Sequence, residues 1–422
     1  MMRILCLSNG HGEDAIATRI LRQFQTTPNP PELSALSLVG EGMAYRHMDI
    51  PLIGPVKAMP SGGFVYMESR QLAKDVKAGM LQLIWQQYGA IRTWAKDGGA
   101  VLAVGDIVPL LLAWLSGLPY AFVATAKSEY WIQDENGPLT ARRWFGPGWS
   151  GSVYLPWERW LMGRKRCVGV FPRDRLTAQT LQQWQQLPVF DCGNPMMDDV
   201  LPMEKEPEEE GKSLALVLLP GSRAPEAYEN WQVLLTAVGQ VIGEPQPFKG
   251  LHRPITVFGA IAPGFGLETF GQILESYGWR RNEPPEGLDL PSPETLCYTL
   301  SNGTLFLTQN AYSTCLQQAH FALAMAGTAT EQFVGLGKPA LTLPGKGPQF
   351  TPQFAQVQAQ LLGPSIMQVK SPHAVPQTLQ DLLQDPDLLQ LIYDNGRRRM
   401  GDPGASQRIA TCFLEKMAAQ GS

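Results

Sequence analysis

Short apolar runs bounded by turn residues alternate with longer stretches whose apolar positions recur three and four apart, and this alternation continues through nearly the whole chain. The first kind predicts buried strands and the second predicts amphipathic helices. Arg3 to Ser8 is a strand by this rule, Asp14 to Phe24 a helix, Leu33 to Val39 a strand, and Met67 to Lys96 helical. Ala100 to Ala126 is the longest apolar region, but Asp106, Pro109 and Pro119 divide it into strand, helix and strand and exclude a membrane span. RCVGVFP and a helix from Arg173 to Gln186 follow. After a charged break, strands at 214–219 and 254–258 alternate with helices at 225–242 and 267–277. RRNEPPEGLDLPSP, Arg280 to Pro293, is expected to be a loop. LFLTQNAYSTCLQQAHFALAM then supplies strand, helix and strand, and Pro372 to Gln384 and Asp387 to Met417 are terminal helices. Strands alternating with helices predict an α/β protein with parallel sheets.

Length turns this pattern into two domains, since 422 residues exceed a single core. The boundary falls in MEKEPEEEGKS, giving a first domain over 1–203, a linker over 204–213, a second domain over 214–395, and a C-terminal helix over 396–422 that is expected to pack back on the first domain. Hydrophobic residues at 44% and charged residues at 17% support full cores without metal or disulfide staples. The six cysteines form no CxxC pair and suit a reducing compartment. A formal net charge of −4 gives no basis for nucleic-acid binding. The opening MMRILCLSNG is expected to be a strand rather than a signal peptide.

Two turns carry the candidate chemistry of the second domain. In LAMAGTATEQFVGLGKPALTLP an apolar strand stops at Gly327, and Thr328, Ala329 and Thr330 open a helix that carries Glu331. Unpaired N–H groups and the positive end of the helix dipole suit a diphosphate there, with Glu331 accepting from ribose hydroxyls. A capped helix with a solvated glutamate explains the same residues. In LALVLLPGSRAPEAYENW a strand leads into Gly221, Ser222 and Arg223 just before a helix, the makings of a phosphate clamp, or of an arginine that caps a neighbouring helix. GKGPQFT, with Lys346 and Gln349, lacks P-loop spacing. His320 is expected in the core, and Asp198 and Asp199 are expected to be solvated linker charge.

In the first domain the acceptor-side loop Asn9, Gly10, His11, Gly12 and Glu13 leaves the first strand, and Asp106 leaves a later one. If that strand is the fourth in a sheet of order 3-2-1-4-5, both face the crevice at the topological switch point. A carboxylate beside an imidazole is an arrangement for taking a proton from a hydroxyl; a turn histidine and a helix N-cap are the structural readings. Between Lys127 and Arg166, Trp144, Trp149, Trp157 and Trp160 are interleaved with arginines and a lysine. This pattern suits a membrane surface with anionic lipid, or an ordered loop packing its tryptophans on the sheet.

LLPGSR followed by AGTATEQ resembles the nucleotide-binding half of the lipid-A-disaccharide synthases, which are GT-B glycosyltransferases using UDP-sugars. The resemblance implies a GT-B fold, two Rossmann-like doubly wound domains facing across a cleft, with Arg223 and Glu331 at the nucleotide. VGDIVP is similar to that family's Gly-x-Asp stretch, which makes Asp106 the matching position for an aspartate important for activity. NGHGED differs from the family's GEASGD loop, and its histidine is more similar to galactolipid synthases and peptidoglycan-precursor GlcNAc transferases, so either His11 or Asp106 is the base. The expected activity is inverting transfer of a hexose or N-acetylhexosamine from a UDP-sugar to a lipid or lipid-linked sugar, with no metal or other cofactor. The expected place is the cytoplasm, peripheral on the cytoplasmic membrane face. A non-hydrolysing UDP-sugar 2-epimerase and a non-catalytic nucleotide-binding protein are the alternatives.

Overall fold

The computed structural model describes residues 2–57, 79–139, 151–200, 213–242, 254–284, 290–345, 347 and 350–420, with the side chain of His11 outside the description. Two compact units divide the chain: residues 1–198 with 402–422, and residues 199–401.

In the first unit β1 (Arg3–Ser8), β2 (Glu32–Ser37), β3 (Ala100–Gly105), β4 (Tyr120–Ala124) and β5 (Cys167–Pro172) form a parallel sheet of order β2-β1-β3-β4-β5. Every residue of β3, β4 and β5 is buried, which is why these strands are unbroken apolar runs rather than alternating ones. Beyond β2, Ala35 N–H donates to Pro51 O and Ile53 N–H to Ala35 O, both at 2.9 Å. The Gly- and Pro-rich stretch thus supplies one rung of a further edge strand, bridged at Leu52. Counting that rung, the strand ending at Gly105 is the fourth, beside the first. Sheet order reverses between β1 and β3, so right-handed crossovers place the helix His11–Gln25 on one face and the helix Ile107–Ser116 on the other.

The last helix, Ala405–Gln420, belongs to this unit. It packs on the first helix, with the Phe24 and Phe413 rings 5.7 Å apart, and Arg408 Nε donates to Cys192 O at 2.9 Å. The single helix expected over Asp387 to Met417 is two, Pro386–Met400 and Ala405–Gln420, because Gly401 and Gly404 adopt positive φ around Asp402 and Pro403. Asp198 is not solvated linker charge. Its carboxylate accepts from the N–H groups of Gly404, Ala405 and Ser406 at 2.7, 2.9 and 2.8 Å, filling the N-terminal vacancies of the last helix from outside that helix. Asp198→Ala is expected to cost about 1–3 kcal/mol of stability, read as a lowered denaturant midpoint; an unchanged midpoint would make the cap ornamental.

The second unit holds β6 (Leu214–Leu219), β7 (Ile255–Ala260), β8 (Arg280–Asn282), β9 (Leu296–Leu300), β10 (Gly303–Thr308), β11 (Phe321–Ala324), β12 (Ala340–Thr342) and β13 (Ile366–Gln368). Their order is β8-β9-β10-β7-β6-β11-β12-β13. Six strands are parallel, and β8 and β9 add antiparallel pairs at one edge, so Arg280–Asn282 is a strand rather than the start of a loop. Polar side chains hid it, as suits an edge strand with exposed residues. His320 is exposed, contrary to the core expected for it, and its Nδ1 accepts the Ala215 N–H at 2.9 Å. Order in this sheet reverses between β6 and β11, the strands that precede the PGSR and GTATE turns.

Candidate functional site

At the switch point of the second sheet the two turns meet. Leu219 pairs with Ala324, and Met325 N–H donates to Leu219 O at 2.9 Å, so Pro220 to Arg223 and Ala326 to Glu331 leave adjacent strand ends. Gly221 has φ +102°, so the turn favours glycine on conformation, although a β-carbon there would meet Met325 O only at an ordinary contact distance of 3.4 Å. Asn230, buried one turn into the helix Glu226–Ile242, donates from Nδ2 to Pro220 O at 2.9 Å and Met325 O at 3.3 Å, stapling one turn to the other. Ser222 and Arg223 are exposed at its lip.

The helix Thr328–Gly335 starts at Gly327 without a side-chain cap. Thr330 and Glu331 donate their N–H groups to Gly327 O at 3.1 and 3.2 Å, whereas those of Thr328 and Ala329 have no backbone acceptor among the described residues. Thr330 itself is buried, and its hydroxyl donates to Ala326 O at 2.6 Å. Its hydroxyl therefore braces the turn from within. Glu331 is half-buried in the first turn. Two supports escaped the sequence reading. Gln358 Nε2 donates to Ala326 O and Gly327 O at 3.1 and 3.2 Å, and buried Glu226 accepts the Phe350 N–H at 2.6 Å, tying the loop after β12 to the helix after PGSR. Lys346 and Gln349 lie outside the described residues.

In the first unit Asn9 and Asp106 occupy the ends of adjacent strands. Gly10, with φ +152°, precedes the first helix, whose opening residue is His11. Asp106 caps the helix Ile107–Ser116, Oδ1 accepting the Val108 N–H at 2.8 Å, so the structural role foreseen for it is real. Burial pushes the Asp106 carboxyl above the ordinary range; the Asn9 amide and Val108 N–H, with Lys127 at longer range, favour the charged form, and Glu158 opposes it. Among the described residues neither amide atom of buried Asn9 makes a hydrogen bond of good geometry, nor does the Thr125 hydroxyl at the end of β4. Orphaned buried polar atoms beside a carboxylate at a switch point are what a hydroxylated ligand would complete. Gly12 has open space around its α-carbon, and Glu13 is half-buried.

Behind this loop, Ser8 and Ser37 hydroxyls donate to buried Asp14, and Ser8 also meets the Tyr45 hydroxyl. The stretch after β4 holds a second buried group. Glu129 accepts from the Ser152 hydroxyl, from Val153 N–H at 3.0 Å and from Gln133 Nε2 at 3.1 Å, while its own N–H donates to Thr177 Oγ1 at 2.9 Å. Lys127 Nζ donates to both Glu158 oxygens at 2.7 Å. Tyr154 is buried, Trp157 and Trp160 are exposed, and Trp144 and Trp149 lie outside the described residues.

Burial raises Asp14 to about 6 and Glu129 to about 7. The folded state therefore keeps protons that the unfolded chain, with ordinary carboxyls, has released at the same pH. The contribution of these two groups to stability is full below about pH 4, is lost as pH rises through the two raised values, and is absent above them. The melting temperature is expected to fall between pH 5 and 8, equivalent to about 1–3 kcal/mol, and Glu129→Gln is expected to flatten much of that slope. An equal slope in the variant would assign the effect elsewhere.

Among the described residues no group of three or more His, Cys, Asp or Glu side chains is placed to hold a metal, and no helix is long and apolar enough to cross a membrane. Compared by sequence, the chain matches no protein-family model and none of the curated proteins. Solved structures do match over the full length. Acinetobacter baumannii MurG aligns at 15% identity and a TM-score of 0.56, covering 98% of this chain and 100% of that one. A calicheamicin glycosyltransferase, CalG4, aligns at 13% and 0.55, covering 99% and 98%. A putative UDP-N-acetylglucosamine 2-epimerase from Listeria monocytogenes aligns at 13% and 0.53, covering 99% and 98%. With two Rossmann-like α/β units and this full-length likeness, the chain has the GT-B fold.

Proposed function

We propose that the protein is an inverting glycosyltransferase that takes a hexose or N-acetylhexosamine from a UDP-sugar and places it on a lipid or lipid-linked sugar, without a metal. The observation that carries this reading is the meeting of PGSR and GTATE at one switch point, stapled by Asn230. The second unit holds the donor: Arg223 and the N–H groups of Thr328 and Ala329 take the diphosphate, and Glu331 the ribose hydroxyls. On the first unit, Asn9, Thr125 and Asp106 take the acceptor. The acceptor oxygen attacks C1 of the sugar, its proton passes to Asp106 or to His11 oriented by Asp106, and the C1–oxygen bond breaks with its electron pair leaving on UDP. A raised carboxyl is a better base near neutrality than an ordinary one.

The resemblance to lipid-A-disaccharide synthases supports the lipid acceptor, and the UDP-linked naming of solved neighbours is in keeping with the donor. A UDP-sugar 2-epimerase is the second reading, favoured by the neighbours with that title. Thermal stabilisation by UDP, UDP-GlcNAc, UDP-glucose, UDP-galactose and ADP tests the site, because a ligand at a hundred times its Kd adds about 2.7 kcal/mol. Stabilisation by a UDP-sugar supports the donor assignment; no shift with any nucleotide overturns it. Conversion of that sugar with no acceptor present would turn the reading to the epimerase, and binding without any turnover to a non-catalytic protein.

A further inference from the structure

The helix Ile107–Ser116, IVPLLLAWLS, has no polar side chain before its final serine. Its inner residues fill the core beneath β3 and β4. Its outer stripe, Ile107, Val108, Leu111, Trp114 and Leu115, follows the helical period and is exposed or only half-buried, where a surface helix normally carries charge. Helices on either side continue the same surface. On Met80–Trp94, Leu81 and Trp85 are one turn apart and 63% and 74% exposed. On Pro156–Met162, Trp157 and Trp160 are 54% and 46% exposed, and Leu111 on the helix Ile107–Ser116 is 40% exposed. The three helices touch: Trp114 and Trp160 rings lie 5.4 Å apart edge to face, and Arg92 Nη1 donates to Ser116 O at 3.2 Å. Single exposed apolar residues are ordinary, but five large ones on adjoining helices make a patch.

Charge identifies what covers it. The described residues of these helices and the turn at 163–166 carry Arg92, Arg159, Arg164, Lys165 and Arg166 against one carboxylate, Glu158, which is buried on Lys127. Arg92, Arg164, Lys165 and Arg166 gather where the helices end, Arg166 Nη2 donating to Trp114 O at 3.1 Å and the Arg164 guanidinium lying 4.1 Å over the Trp160 ring. A protein partner would need carboxylates and an apolar face in matching places; a bilayer offers acyl chains under phosphates everywhere, and tryptophan belongs at the headgroup level between them. We infer that the face formed by the helices Met80–Trp94, Ile107–Ser116 and Pro156–Met162 docks on a bilayer bearing anionic phospholipid. Asp106 caps the middle helix of that face, so a lipid acceptor would reach it from the bilayer without crossing bulk water. That last step rests on the proposed transferase, whereas the docking itself does not.

Flotation with phosphatidylcholine vesicles containing or lacking about a third phosphatidylglycerol tests the docking with no sugar donor, so failure here is distinct from failure of transfer. The full chain is expected to float with the anionic vesicles at low salt, to be released by concentrated salt, and to float poorly with neutral ones. Trp85→Ser combined with Leu111→Ser, both on the surface, is expected to lower partitioning at least ten-fold with an unchanged melting temperature. Lys165→Glu is expected to reduce the preference for anionic lipid. Absence of flotation with the wild type, or equal flotation of the double variant, overturns the inference. A concentration-dependent dimer that the double variant abolishes would overturn it too, by assigning the face to a second copy of the chain.

Discussion

Exchanging Asp106 for asparagine is expected to slow sugar transfer by about 10²–10⁴-fold while leaving UDP affinity unchanged. Asparagine is the informative replacement because its carbonyl oxygen can keep the Val108 N–H bond, so the helix cap survives and only the charge is lost. Alanine would remove both and add a folding cost of about 1 kcal/mol. Because burial raises the Asp106 carboxyl, the acid limb of the rate profile is expected above the ordinary carboxylate range, with activity lost as pH falls through it, and the asparagine variant is expected to lack that limb. If asparagine turns over normally, Asp106 is a cap alone and His11 becomes the base to test by His11→Ala.

The second large effect belongs to the donor. Glu331→Ala is expected to weaken UDP binding by roughly 10–100-fold, the worth of charge-assisted hydrogen bonds to hydroxyls at about 1.5–3 kcal/mol. Affinity alone does not separate a lost contact from a disturbed turn, so the comparison is with 2′,3′-dideoxy-UDP. Wild type should prefer UDP; the variant should bind both alike. A variant that keeps its preference would move the ribose away from Glu331. Arg223→Ala should weaken UDP similarly and leave the preference intact if, as proposed, it meets phosphate rather than sugar.

Strand and helix positions, and the two turns of the second unit, were legible because backbone pattern and turn chemistry are local. β6, the strand Phe321–Ala324 and the helix starts after them needed only an apolar run and a following Gly or Pro. What escaped is long-range. Asp198 caps a helix that begins at Ala405, Gln358 holds the turn at Ala326 and Gly327, and Lys127 neutralises Glu158; none has a signature within its own neighbourhood. Asn230 was nearer to legible, one helical turn past PGSR and on the side facing back to it. At Thr330 the limit is subtler: its hydroxyl turns inward to a carbonyl, a rotamer choice that spacing does not reveal. The apolar composition of the helix Ile107–Ser116 was in plain view, but not its uncovered outer stripe, because a buried helix and a surface helix with an exposed apolar face have the same composition.

The last helix of the chain is part of the first unit, and this has a bearing on the order in which the protein can be made. As the chain leaves the ribosome, residues 1–198 emerge before Ala405–Gln420, and Phe24 and Asp198 have nothing to close on. The second unit, residues 199–401, is continuous and is synthesised whole in the interval, roughly 10–40 s at typical elongation rates. The first unit thus waits, incomplete and with part of its apolar surface uncovered, for a helix made only after the second unit. Premature termination just after Met400 would spare the second unit and leave the first one open, a product prone to aggregate.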